Sequence, residues 1–250
     1  MSAMGLLAVV QSGVESAPAS SGPASANLLV WVALLAAMAL APFLLAMATS
    51  FAKLVIVGGI LRQALGTPQI PPTSVITGLA LVLSALIMSR PALECWNAWS
   101  EQRAERERTQ GAALEPAELL ELAQSAVLPR VEAFLVANSS DANVQLFRGL
   151  RDELWAGLPP ADQLAHPALE LITVRMPAFV LTELTEAFQI GFLIFVPFLI
   201  LDLVVSNLLL AMNMHMLSPQ TVAMPLKLLL FVLSDGWTLI FQGIVRNYVA

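Results

Sequence analysis

This chain is poor in thiol and imidazole. It has one cysteine, Cys95, and two histidines, His166 and His215. A single thiol excludes an internal disulfide framework and any cysteine-built zinc knuckle within one chain. Two imidazoles do not supply the ligand set of a dedicated zinc enzyme. No GxSxG, P-loop, HExxH or GxGxxG pattern occurs. Charge is scarce as well. Only 12 % of residues are Asp, Glu, Lys or Arg, about half of the roughly 25 % usual in soluble domains. The net charge of −6 leaves no basic footprint for nucleic acid. No enzymatic activity, cofactor, metal or nucleic-acid partner is therefore expected. What abounds is oil: 58 % of residues are hydrophobic and mean hydropathy is +0.77. A membrane-associated chain follows.

The hydrophobic material divides into four segments, paired two and two. Residues 1–27 are mostly small or polar and read as a flexible lead, with a cleaved signal as the lesser option, because no Lys or Arg precedes the short "GLLAVV". Residues 28–91 read as a first hydrophobic helical hairpin. Within it, Leu28 to Ala48 is a run of 21 uncharged residues, long enough to span a bilayer as a helix, with a kink expected at Pro42. "TSFAKLVIVGGILRQAL" continues apolar but carries Lys53 and Arg62. "GTPQIPPT" then breaks the helix. Val75 to Met88 is uncharged and short for a span, and Arg90-Pro91 is expected to end it. Residues 92–176 read as a hydrophilic, mostly helical insert. It holds twelve acidic and seven basic residues from Glu101 to Arg175, a net of −5, with amphipathic helices expected at "EQRAERER" and "PAELLELAQSAVLPRVEAFL". Residues 177–250 read as a second hydrophobic hairpin, turning at the methionine-rich "AMNMHMLSP". Lys53 and Arg62 between the first two segments place that connection and the methionine loop in the cytoplasm, and the acidic insert and both termini outside. Gly58-Gly59 reads as a close helix-packing site.

Three charges sit inside the oil: Lys53, Asp202 and Lys227. Each costs about 2.5–3.5 kcal/mol at a helix centre on insertion scales, so such residues pair or face polar cavities. Asp202 lies 12 residues before Met214 and Lys227 lies 13 after it. In an antiparallel hairpin these offsets put the two at one depth. A pair is one reading; snorkelling of Lys227 and an ion relay are the others. Glu183 and Glu186 share a helical face and read either as a solvated rim of the insert or as an inter-subunit contact.

Three blocks, "MATSFAKLVIVGGILRQALGTPQIPPTSVITGLALVLSALIMSRP", "PAFVLTELTEAFQIGFLIFVPFLILDLVVSNLLLAMNMHMLSP" and "PLKLLLFVLSDGWTLI", resemble the FliP/SctR family of type III secretion export-apparatus proteins. "DLVVSNLLLAM" is more similar to the injectisome branch than to the flagellar one. The resemblance implies an all-α fold of long hydrophobic helical hairpins plus a helical insert, assembling as a helical ring, a pentamer of this chain. It implies SctS/FliQ-like and SctT/FliR-like partners, an SctU/FlhB-like switch protein, and unfolded substrates passing through the centre. It implies a multi-pass protein of the bacterial inner membrane, within the secretion-system basal body and partly on its periplasmic side. Lys53, Glu183, Asp202 and Lys227 match charged family positions and are implied to form assembly pairs.

Met212, Met214 and Met216 match the family's methionine gasket, which closes the channel. Asn213 stands where the usual pattern has glycine, and tolerates the left-handed turn better than most residues. His215 stands where it has methionine, adding a titratable group to the gate. Thioethers and imidazole also suit copper, which makes a soft-metal transporter the distant alternative. A transport path needs further ligands, and Cys95 and His166 lie outside the apolar segments.

Overall fold

The computed structural model describes residues 46–67, 69–110, 121–157 and 167–248, plus isolated positions at 32, 35, 36, 38–40, 42, 43 and 118. The expectations for the lead, for most of Leu28 to Ala48 and for His166 fall outside these residues; Pro42 is itself described, but residues 41, 44 and 45 around the expected kink are not. Phe43–Ala250 forms one compact unit. Among the described residues the secondary structure is helical, without strands.

Helix α1, Phe51–Ala64, is the central element. It packs against α6, Met176–Ala211, and α2, Thr73–Gln110. Leu54 and Val57 of α1 meet Ala80 of α2, Ala187 of α6 and Phe241 and Ile244 of α8, Gly236–Asn247. One turn further on, Leu61 and Ala64 meet Phe198 of α6 and Phe231 of α7, Pro219–Leu233. Two glycines set the close approaches. A Cβ on Gly58 would stand 2.7 Å from Ile76 Cγ2, and one on Gly191 2.4 Å from Ile60 Cδ1. Gly59 faces open space, so of the glycine pair only Gly58 meets a neighbour.

The insert grows out of the two long helices. Arg90-Pro91 does not end a helix: α2 runs through Pro91 to Gln110. Proline removes one backbone bond, and the helix continues past it, with an exposed Arg90–Glu94 ion pair, 3.2 Å, spanning the position at i,i+4. The short uncharged stretch is thus part of a helix long and apolar enough to span a membrane, and "EQRAERER" is its polar end rather than a separate helix. On the other side, α5, Pro167–Glu170, passes through a π-helical turn, Leu171–Arg175, directly into α6. Between them lie a second π turn, Ala123–Val127, then α3, Leu128–Ala137, and α4, Asp141–Trp155. Leu135 of α3 and Val144 of α4 pack on Phe179 and Ala178 of α6.

The last hydrophobic segment is also broken, into α7 and α8 bent by 58°. Asp235, at φ 49°, occupies the left-handed region between them. Its carboxylate accepts from Thr238 Oγ1 at 3.0 Å. A Cβ on Gly236 would enter the ring of Phe231, at 2.1 Å from Cε2, so "SDG" is an elbow built on two backbone requirements.

An ion cluster ties the insert to its own stem. Glu170 accepts from Arg148 at 3.2 Å and from Arg151. Burial pushes the Glu170 carboxyl up, but the hydrogen bonds and charges of the two arginines outweigh it and hold it below its ordinary value of 4.5. A depressed folded pKa contributes stability above the unfolded value and loses it as pH falls through the folded one. Limited proteolysis is expected to cut the insert faster below about pH 4.5 than at neutrality, with Glu170→Gln removing part of that acid sensitivity.

Two helical segments, Thr73–Thr109 and Leu171–Ala211, are long and apolar enough to cross a membrane, and the α7–α8 pair makes a third if it counts as one span. Only 17 % of the most apolar window of either long segment is buried within the chain. On α2, Val75, Leu79, Val82 and Leu86 lie exposed at alternating four- and three-residue spacing, the period of a helix-packing seam, and Leu93 and Trp96 resume the line seven residues on.

Candidate functional site

Two buried ion clusters and one exposed loop hold the charged and methionine residues singled out in the sequence. The first cluster centres on Lys53, which is 1 % exposed. Its ammonium lies 3.0 Å from Glu183 Oε1 and 2.7 Å from Glu186 Oε2, and 4.5 Å from the ring centre of Tyr248. The Glu183 contact is an ion pair off the hydrogen-bond line. The Tyr248 hydroxyl donates to Glu183, and Asn247 Nδ2 donates to Glu186 at 3.2 Å. Glu183 is not part of a solvated rim: it is 2 % exposed and meets Lys53 and Tyr248 of its own chain. The physical reason is the buried lysine one helix away, which a carboxylate on α6 neutralises at short range.

Immediately before Glu183 on α6, Thr182 Oγ1 donates to Ala178 O at 2.8 Å and accepts from Ser140 N at 3.0 Å and Asn143 Nδ2 at 2.9 Å. The "TELTE" stretch of α6 therefore joins α1, the insert and α8. Sequence reasoning misses Thr182, Asn247 and Tyr248. A threonine within an apolar run and a tyrosine near the chain end carry no signal without their neighbours. The nearest hint is the lone lysine of "SFAKLV", which demands a partner.

The second cluster lies toward the other end of α1. Lys227 of α7, 6 % exposed, is 2.7 Å from Asp202 Oδ2 on α6 and donates to Ala64 O at 3.1 Å. The ammonium thus neutralises a carboxylate and takes up a carbonyl left free at the end of α1. Its burial leaves no path for snorkelling.

Beyond this pair the α6–α7 hairpin turns through the methionine loop. Asn213, at φ 57°, lies just past the end of α6. Met214 N donates to Leu209 O at 2.9 Å and Asn213 N to Leu210 O at 3.1 Å. This is the double bond pattern of a Schellman end, which needs a left-handed residue where Asn213 stands. Leu217 N then donates to Met214 O at 3.4 Å, and Ser218 with Pro219 starts α7. The loop presents its side chains outward: Met212 is 58 %, Met214 42 % and Met216 99 % exposed. His215 is exposed too. Asn213→Gly is expected to leave thermal stability within about 0.5 kcal/mol, while Asn213→Val, forced into the left-handed region, costs about 1–2 kcal/mol; thermal unfolding in detergent checks both.

The sequence profile of the FliP family matches residues 34–244. The chain is 38 % identical over 212 residues to "Hypersensitivity response secretion protein HrcR" of Ralstonia nicotianae, covering 85 % of this chain and 93 % of that one. It is 39 % identical over 226 residues to "Yop proteins translocation protein R" of Yersinia pestis, covering 90 % and 97 %. It is 35 % identical over 246 residues to "Flagellar biosynthetic protein FliP" of Caulobacter vibrioides, covering 96 % and 84 %.

Proposed function

The chain belongs to the FliP family, and from that premise we propose that it is a core subunit of a type III secretion export gate, forming with other copies of itself the portal through which unfolded proteins cross the inner membrane. The observation that carries this reading is the methionine tip. A chain that fixes a hairpin of two helices with an ion pair and a Schellman end leaves Met216 almost wholly bare. Bare thioethers at a fixed tip suit a seal completed by neighbouring subunits, since methionine side chains are flexible and fill irregular gaps. The uncovered faces of α2 and α6 fit the same picture, as surfaces for neighbouring helices and for lipid.

The portal is a pentamer of this chain, joined by SctS/FliQ-like and SctT/FliR-like subunits and served by an SctU/FlhB-like switch protein. It is a multi-pass inner-membrane assembly reaching to the periplasmic side, without enzymatic activity of its own. Met212, Met214, Met216 and His215 form its gate, and the Lys53–Glu183 and Lys227–Asp202 pairs hold the subunit in the shape that assembles. The injectisome branch is favoured over the flagellar one by "DLVVSNLLLAM" and by relatives named for hypersensitivity, pathogenicity, virulence and Yop translocation at 36–39 % identity, against 35–36 % for those named flagellar.

A photo-crosslinking residue at position 216, in cells secreting a substrate fused to a tightly folded domain, tests this. Crosslinks to the stalled substrate are expected. Their absence at 216, with the stalled substrate captured elsewhere in the same apparatus, contradicts the gate assignment.

A further inference from the structure

His215 is the loop residue that a seal does not explain. Within Met212 to Met216 the chain sets three thioethers and one imidazole. All four side chains are exposed, and among the described residues no hydrogen bond or ion pair engages the imidazole. The loop backbone is held by the bonds from Met214 to Leu209 and from Leu217 to Met214. From Leu203 to Leu226 there is no Asp, Glu, Lys or Arg. The three thioethers are therefore soft and uncharged, with an unbonded imidazole beside them, on a braced turn without a carboxylate in its own stretch of chain.

We propose that the Met212–Met216 loop is a binding site for a soft monovalent cation, Cu(I) or its analogue Ag(I), with the thioethers of Met212, Met214 and Met216 and the imidazole of His215 as ligands. Thioethers select Cu(I), and imidazole binds it as well, whereas Mg²⁺ and Ca²⁺ require oxygen donors. With neutral ligands the filled site carries only the charge of the ion itself, and a monovalent ion keeps that charge small where no counter-charge stands by. Zinc, doubly charged and lacking thiolate or carboxylate here, is disfavoured. Binding at the loop does not imply transport. A bound ion would tie together side chains whose freedom a yielding seal requires, so occupancy and gating are coupled if the loop is the gate.

The test uses the full-length chain in detergent, in a Cys95→Ala background so that the thiol does not compete. After equilibration with silver nitrate in chloride-free buffer and gel filtration, about one silver ion per chain is expected, and no zinc under the same conditions. Replacing Met212, Met214 and Met216 together by Leu should reduce silver to background, and His215→Phe should weaken binding by about tenfold, as one ligand of four is lost. In protein carrying ¹³C-methyl methionine, silver should move the resonances of Met212, Met214 and Met216 and leave those of Met176 and Met224 in place, a readout that needs no variant. Equal silver in the parent and the triple-leucine variant, no silver in the parent, or shifts confined to other methionines overturns the site. The leucine variant keeps the apolar bulk of the loop, so its membrane permeability reports on the seal separately from its silver content.

Discussion

Lys53→Met is expected to remove most of the folded protein from the membrane. Lys53 is the largest fully buried side chain in the described residues. It is the cation between two carboxylates, and removing it leaves Glu183, 2 % exposed, with a charge facing only the Tyr248 hydroxyl. Breaking a buried pair from one side costs about 3–5 kcal/mol, a large share of the roughly 5–15 kcal/mol that keeps a domain folded. Lys53→Met combined with Glu183→Gln should recover a substantial part, because the stranded charge goes with the lysine and the two sites couple. Quantifying chain in membranes and the half-life after synthesis arrest checks both. Normal accumulation of Lys53→Met would show that the cluster is dispensable. Asp202→Ala should act in the same direction but less strongly, since Lys227 keeps the carbonyl of Ala64 as an acceptor.

The second large effect concerns the tip. Changing Met212, Met214 and Met216 together to Ala should make cells carrying the assembled apparatus leak small solutes while still exporting substrate. Alanine keeps the loop backbone, whose turn depends on Asn213 and not on the methionines. It removes the long, adaptable side chains that would meet across a channel. The corresponding leucine variant, with similar bulk, should leak much less. Dye uptake and growth under osmotic stress report the difference. Unchanged permeability of the alanine variant, with assembly verified, contradicts the sealing role.

Much of this architecture is legible in the sequence because apolar runs and intramembrane charges obey strict physical limits. An aspartate and a lysine at matched offsets from a turn point to one another by spacing alone, as Asp202 and Lys227 do. Helix ends are harder to read. Pro91 looks like a stop, yet α2 runs on through it to Gln110. Asp235 looks like one more charge in oil, yet its left-handed backbone and the bare Gly236 under Phe231 make it the elbow that splits the last segment. The partners of Lys53 are out of reach for another reason. Glu183 and Glu186 lie 130 and 133 positions away, and only the packing of α1 on α6 makes them neighbours. Thr182 and Tyr248 enter by the same packing, and local sequence holds no trace of it.

The central claim is that this chain works as one of several copies in a portal, with its bare methionine tip and uncovered helix faces covered by neighbours. Native mass spectrometry of the chain purified gently from its own membrane tests that most directly. Complexes containing several copies of the 26.7 kDa chain, five in the proposed ring, together with other membrane subunits are expected. A chain recovered solely as a monomer, from membranes in which secretion is active, would contradict the account.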